Sequence, residues 1–103
     1  MNIWIDDIRT APADYIWCHS VNEAIDCLYE LVRNETNIGV IAIDHDAGDY
    51  AKDGGDFYKV LDWLEEHDVH DLKFKLLTQN GVGREKLHAI IQHNAERLNW
   101  SIV

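Results

Sequence analysis

The chain is poor in proline, cysteine and basic side chains, and each shortage excludes something. With Pro12 as its only proline and no repeat or low-complexity segment, no linker divides the 103 residues, so residues 1–103 are expected to form one domain. Cys18 and Cys27 do not share a C-x-x-C spacing, which argues against a zinc site and a disulfide framework and leaves reduced, partly buried thiols as the expectation. Nine Lys and Arg stand against nineteen Asp and Glu, for a net charge of −10. A broad nucleic-acid surface needs clustered cations and is not expected, whereas a pocket for one nucleotide or one phosphate remains open. No apolar run is long enough to cross a membrane. Met1 leads directly into strand-like sequence without a basic leader, so a cytoplasmic location is expected.

What the chain does have is 47% hydrophobic residues in short, punctuated runs, enough for a modest core. "MNIWID", "YIWCH", "VIAID" and "FKLLT" read as strands, and the near-continuous apolar character of the third predicts burial on both faces. Ser20, with Glu23 three residues on, predicts the start of a helix whose apolar face is Val21, Ala24, Ile25, Leu28 and Val32. Phe57, Val60, Leu61 and Leu64 mark a second helix ending near His67, and Leu87, Ile90, Ile91 and Leu98 a third. The alternation predicts a parallel α/β sheet flanked by helices. Its weak link is "IRTAPAD", too short and too Pro-broken for a helix between the first two strands. Whether residues 99–103 add an edge strand stays open at this stage.

The segment "GVIAIDHDAGDYAKDGGDF" poses the functional question, because a run built for burial ends in Asp44, His45 and Asp46. Every predicted strand has such an ending. Asp6 and Asp7 close the first, His19 and Ser20 the second, and Thr78 to Asn80 the fourth. In an open parallel sheet the carboxyl ends share one edge, and ligands bind there. Two carboxylates about 4 Å apart repel by roughly 4 kcal/mol at an effective dielectric of about 20. A cluster of Asp6, Asp7 and Asp44 therefore takes up protons or binds a hard cation, for which Mg²⁺ is the natural candidate.

Other patterns carry less. A calcium loop beginning at Asp44 fails at its sixth and twelfth positions, Asp49 and Gly55. His67 and His70, with Asp68 and Asp71, read as a solvated helix end rather than a metal site. "NGVGR" reads as a tight turn before the third helix, with Arg84 and backbone N–H groups facing an anion as the functional alternative.

Taken together, Asp6 and Asp7, Asp44 and Thr78 resemble the response-regulator receiver domain. "IWIDDIRTAP", "VNEAI", "AIDHDAG" and "TQNGVGREKL" resemble motifs of a small divergent branch, the cyclic-phosphate-processing receiver family. The resemblance implies a receiver-like, flavodoxin-like fold with the first crossover helix reduced to a loop. It also implies a site that processes cyclic phosphates, at nucleotides or RNA termini. The chain departs from the family pattern at Leu77, where a histidine is common. It also has no Lys in "NWSIV" to match the one that ordinary receivers place after their fifth strand.

Two readings follow. In the first, the protein is a phosphoesterase using Mg²⁺ or Mn²⁺. Asp6, Asp7 and Asp44 hold the metal, and Asp44 with His45 or Asp46 serves catalysis. Arg9, Thr78, Asn80 and Arg84 bind the phosphate of a small substrate. Because alternate residues of a strand face opposite ways, His45 joins the site only if the chain has turned by then; otherwise Asp46 is the acid–base candidate. In the second reading the chain is a non-catalytic module, phosphorylated on Asp44 or holding a phosphate ligand, that works through a protein partner.

Overall fold

The computed structural model describes residues 1–79 and 81–103. Its elements run β1 (Asn2–Ile5), β2 (Tyr15–Cys18), α1 (Val21–Arg33), β3 (Val40–Ile43), α2 (Tyr58–Glu66), β4 (Lys73–Leu76), α3 (Gly81–Leu98) and β5 (Ser101–Ile102), with a 3₁₀ turn over Gly48–Lys52. The five strands form one parallel sheet in the order β2-β1-β3-β4-β5. The parallel α/β sheet is the one expected from the alternation, its architecture is the receiver-like, flavodoxin-like one that the resemblance implied, and residues 101–102 do supply an edge strand beside β4.

Topology decides where the helices lie. From β2 onward every crossover steps the same way across the sheet, and right-handed crossovers in one direction place their helices on one face. The buried core agrees, drawing alternate strand residues (Ile3, Ile5, Cys18, Ile41, Ile43, Phe74, Leu76) together with Ala24 and Leu28 of α1, Leu61 and Leu64 of α2, and Leu87 and Ile91 of α3. The one step in the other direction, β1 to β2, is made by a loop. That loop is pinned by two indoles: Trp4 Nε1 donates to Arg9 O at 2.9 Å and Trp17 Nε1 to Asp6 O at 2.7 Å. On this face Trp4, Tyr15 and Trp17 are half-buried and Lys73 and Lys75 exposed, whereas β3 is covered on both sides, with Ile41, Ala42 and Ile43 all buried.

Helix α1 begins as expected, with Ser20 Oγ accepting the Glu23 N–H at 3.1 Å. The Glu23 carboxylate lies 3.4 Å from His19 Nδ1. Val32 is 40% exposed rather than on the buried face, because the last turn of α1 reaches the rim of a cavity of about 230 Å³ at the amino ends of β3 and β4. The two cysteines are free thiols, Cys18 buried and Cys27 half-buried.

Ser20 is buried and does two jobs, since its hydroxyl also donates to Asp53 Oδ2 at 2.6 Å and so ties α1 to the loop after β3. Ser20→Ala is expected to lower stability by about 1–2 kcal/mol, the cost of a lost helix cap. Urea unfolding would show it as a lower midpoint at unchanged slope.

Candidate functional site

The parallel register sets the site. Ile5 pairs with Cys18 on one side and with Ile43 on the other, and Ile43 pairs with Leu76. Ladder hydrogen bonds continue one residue further, from Asp6 N to Cys18 O, Asp44 N to Ile5 O and Leu77 N to Ile43 O. The polar residues that follow each strand are therefore level along one edge. Between β1 and β3 the chain reverses its direction of travel across the sheet, which is where an open α/β sheet leaves a crevice. Asp6, Asp7 and Asp44 meet there, with one carboxylate oxygen from each lying within 4.8 Å of the others.

The three carboxylates are not equivalent. Asp6 is buried, and its charge is answered internally: Oδ1 accepts the backbone N–H groups of Ile8 and Arg9 at 2.9 and 3.0 Å, and Oδ2 accepts Arg9 Nη1 at 2.8 Å. The same guanidinium nitrogen reaches Asp44 Oδ2 at 3.3 Å, and the hydrogen bond to Asp6 pushes the Arg9 pKa upward. Arg9 thus bridges two of the aspartates, where the sequence suggested only a phosphate contact. Asp44 is half-buried, and its Oδ1 accepts the His45 N–H at 2.8 Å.

Asp7 carries the unresolved charge. Burial pushes its pKa up, opposed by a hydrogen bond within its own residue and reinforced by the charges of Asp6, Asp44 and Asp46. Its carboxylate packs against Gly48, where an added Cβ would collide with Asp7 Oδ2 and where φ is +55°, so a side chain is excluded there on two counts.

β3 ends at Ile43, so the chain has turned before His45 and strand alternation does not send that ring away. His45 Nδ1 lies 2.9 Å from Asp46 Oδ1, and the ring stacks toward Tyr58 of α2 with centroids 6.4 Å apart. Its other neighbour is Gly83. "NGVGR" is not a tight turn at its glycines: Gly81 and Gly83 lie in the first turn of α3, and a Cβ on Gly83 would stand 2.6 Å from His45 Cγ. Thr78 follows β4 and is buried at the same edge, and Arg84 Nη1 donates to Leu76 O at 3.3 Å, which anchors it to the end of β4. Asn80 lies outside the described residues.

The weaker candidates have separate structural partners. His67 Nδ1 lies 2.8 Å from Trp63 O, Asp68 pairs with Arg97, and Asp71 accepts from Asn99 at 2.7 Å. Gly48 and Gly83 were not legible as site residues. Gly48 carried only the signal of a glycine within an acidic loop, and Gly83 only its place in "NGVGR", and turn chemistry explains both as well.

Two predictions test this geometry. Because the Asp7 pKa is raised on folding, its contribution to stability is present at low pH and is lost as pH rises through the folded-state value. In metal-free protein Asp7→Asn is therefore expected to raise the Tm by a few degrees at neutral pH, with the gain vanishing in acid below the usual carboxylate range. The second is a pair of substitutions in α3. Gly81 has nothing within 4 Å, so Gly81→Ala should be neutral or stabilising by up to about 1 kcal/mol. Gly83→Ala gains the same propensity but forces the His45 ring aside, and is expected to destabilise by about 1–3 kcal/mol on chemical unfolding.

Residues 1–93 match the family model described as the cyclic-phosphate processing receiver domain. No curated protein and no solved structure gave a match. With nearly the whole chain matched, from β1 into α3, this protein belongs to the cyclic-phosphate processing receiver family.

Proposed function

We propose that the protein is a metal-dependent phosphoesterase that opens cyclic phosphates at nucleotides or RNA termini. The observation that carries this reading is the meeting of three carboxylates within 4.8 Å, with Asp7 among them raised in pKa. A part-desolvated carboxylate beside two others is costly unless a cation offsets its charge. The donor set is all oxygen, which fits Mg²⁺ or Mn²⁺ rather than a soft metal. Asp7 and Asp44 have the less committed oxygens and would be the direct ligands, while Asp6 is tied to the loop and would orient the pair. Bound there, the ion supplies Lewis acidity toward a phosphoryl oxygen and offsets the acidic charge.

The protein's own groups divide the remaining work. Ionised Asp46 only accepts hydrogen bonds, so its contact fixes the proton of His45 on Nδ1 and leaves the Nε2 lone pair free for a proton. Imidazole is the side chain that most often takes that role. Arg84, held at the end of β4, balances phosphate charge, and Thr78 offers a hydroxyl from the same edge.

One observation favours a second reading. Arg9 already bridges Asp6 and Asp44, so part of the cluster's charge is answered without an ion. A non-catalytic module, phosphorylated on Asp44 or binding a phosphate ligand and docking on a protein partner, is consistent with that arrangement.

Incubation with Mg²⁺ or Mn²⁺ and a panel of 2′,3′-cyclic and 3′,5′-cyclic phosphates separates the two. Turnover is expected, abolished by chelator, lowered by about a hundredfold or more in His45→Ala and lost in Asp44→Asn. No turnover of any substrate, together with a stable aspartyl phosphate formed from a small phosphodonor, would establish the module instead.

A further inference from the structure

Beside the acidic crevice lies a row of rings to which the reading above gives no role. Trp17 and His19, two residues apart at the carboxyl end of β2, stack with centroids 4.3 Å apart and planes 26° apart. Tyr50 continues the row at 5.6 Å from His19 and 35°. The row is tied to the site at both ends. Trp17 donates its indole N–H to Asp6 O at 2.7 Å, which holds its ring against the acidic loop. Tyr50 belongs to the 3₁₀ turn that begins at Gly48, the residue packed on the Asp7 carboxylate.

Core packing does not account for Tyr50. No residue of the Gly48–Lys52 turn is buried, and Tyr50 itself is 42% exposed, which makes it the outermost ring of the row. An exposed, flat ring two residues from the glycine that abuts the Asp7 carboxylate has the form of a stacking platform.

We infer that Trp17, His19 and Tyr50 form a base-recognition ledge, so that the substrate is a nucleoside cyclic phosphate whose base stacks on Tyr50 while its phosphate lies at Asp7 and Asp44. This rests on the phosphoesterase reading and adds to it the residues that would hold the base, so that a base-free sugar cyclic phosphate becomes the poorer substrate. Stacking tolerates any base, so the ledge selects for a base and not for its sequence identity. Charge limits the ligand in the other direction. Glu23 lies beside His19, Asp49 precedes Tyr50 in the same turn, and the whole chain carries −10. A single terminal nucleotide fits, while a long polyanion is repelled.

The test compares adenosine 2′,3′-cyclic phosphate with methyl riboside 2,3-cyclic phosphate, which has the same reacting ring and no base. The full chain is expected to prefer the nucleoside by about tenfold in kcat/KM, with the ratio falling toward one in Tyr50→Ala and kept in Tyr50→Phe. Equal rates on both substrates in the unaltered protein would overturn the ledge and leave the phosphoesterase reading intact. A readout independent of turnover is titration with adenosine 3′-monophosphate, followed by the ring-proton NMR signals of Tyr50 and His19, with inorganic phosphate as the control. Saturable shifts of those rings with the nucleotide alone are expected even if no cyclic phosphate is cleaved. Their absence, or identical shifts with inorganic phosphate, would overturn the inference.

Discussion

Parallel pairing of β1 with β3, in the register that sets Ile5 against Ile43, leaves the chain no choice about where its acidic strand exits go. Both leave the sheet at one edge, side by side at the point where the connections reverse direction. Carboxylates brought this close repel by several kcal/mol, roughly 4 at about 4 Å for an effective dielectric of about 20. That repulsion has to be answered for the fold to persist. Asp6 is answered by two backbone N–H groups and by Arg9, three residues away on the same loop. Asp7 has a hydrogen bond only within its own residue, and burial first, then the charges of Asp6, Asp44 and Asp46, displaces its pKa upward.

The loop that answers Asp6 is also the one that replaces a crossover helix. A parallel sheet ordinarily has both faces covered by helices. Here the only step that would place a helix on the second face is made by residues 6–14, and two indoles stand in for the missing packing by fixing that loop to β1 and β2. Loss of the helix and construction of the site are therefore one event in the fold. Asp6, Arg9 and the indole of Trp17 all belong to the same short crossover and its anchors.

Sequence alone made the carboxylate cluster legible because it depends on strand ends and on parallelism, both of which leave a mark in hydrophobic runs and their polar stops. The Ser20 cap was legible for a similar reason, as a local pattern with a local partner. What stayed hidden depends on tertiary neighbours. Arg9 looks like a free cation in the sequence, and nothing in its spacing says that it folds back onto Asp6 and reaches Asp44. The glycines of "NGVGR" argue against a helix by propensity, yet α3 begins there, and at Gly83 a missing Cβ is what admits the His45 ring. Val32 keeps helical register with Leu28 but lies at the last turn, at the rim of a cavity instead of over the sheet. Whether His45 faced the site turned on one residue of strand length, which periodicity does not resolve.

The hydrogen bonds around Asp44 bear on which chemistry the edge suits. A carboxylate that must attack phosphorus needs an oxygen free of donors, whereas one that holds an ion needs only a lone pair in the right direction. Asp44 Oδ1 already accepts the His45 N–H at 2.8 Å, and Oδ2 is approached by Arg9 at 3.3 Å. Both contacts lower its nucleophilicity and leave its charge in place. On the proposed reading that is the useful outcome, because Asp44 then serves as a ligand and water is the group to be activated. The His45–Asp46 pair is the natural place for the displaced proton, since Asp46 orients the ring through Nδ1 while its own side chain stays 64% exposed. A phosphorylated aspartate would need neither that imidazole nor the glycine that makes room for it.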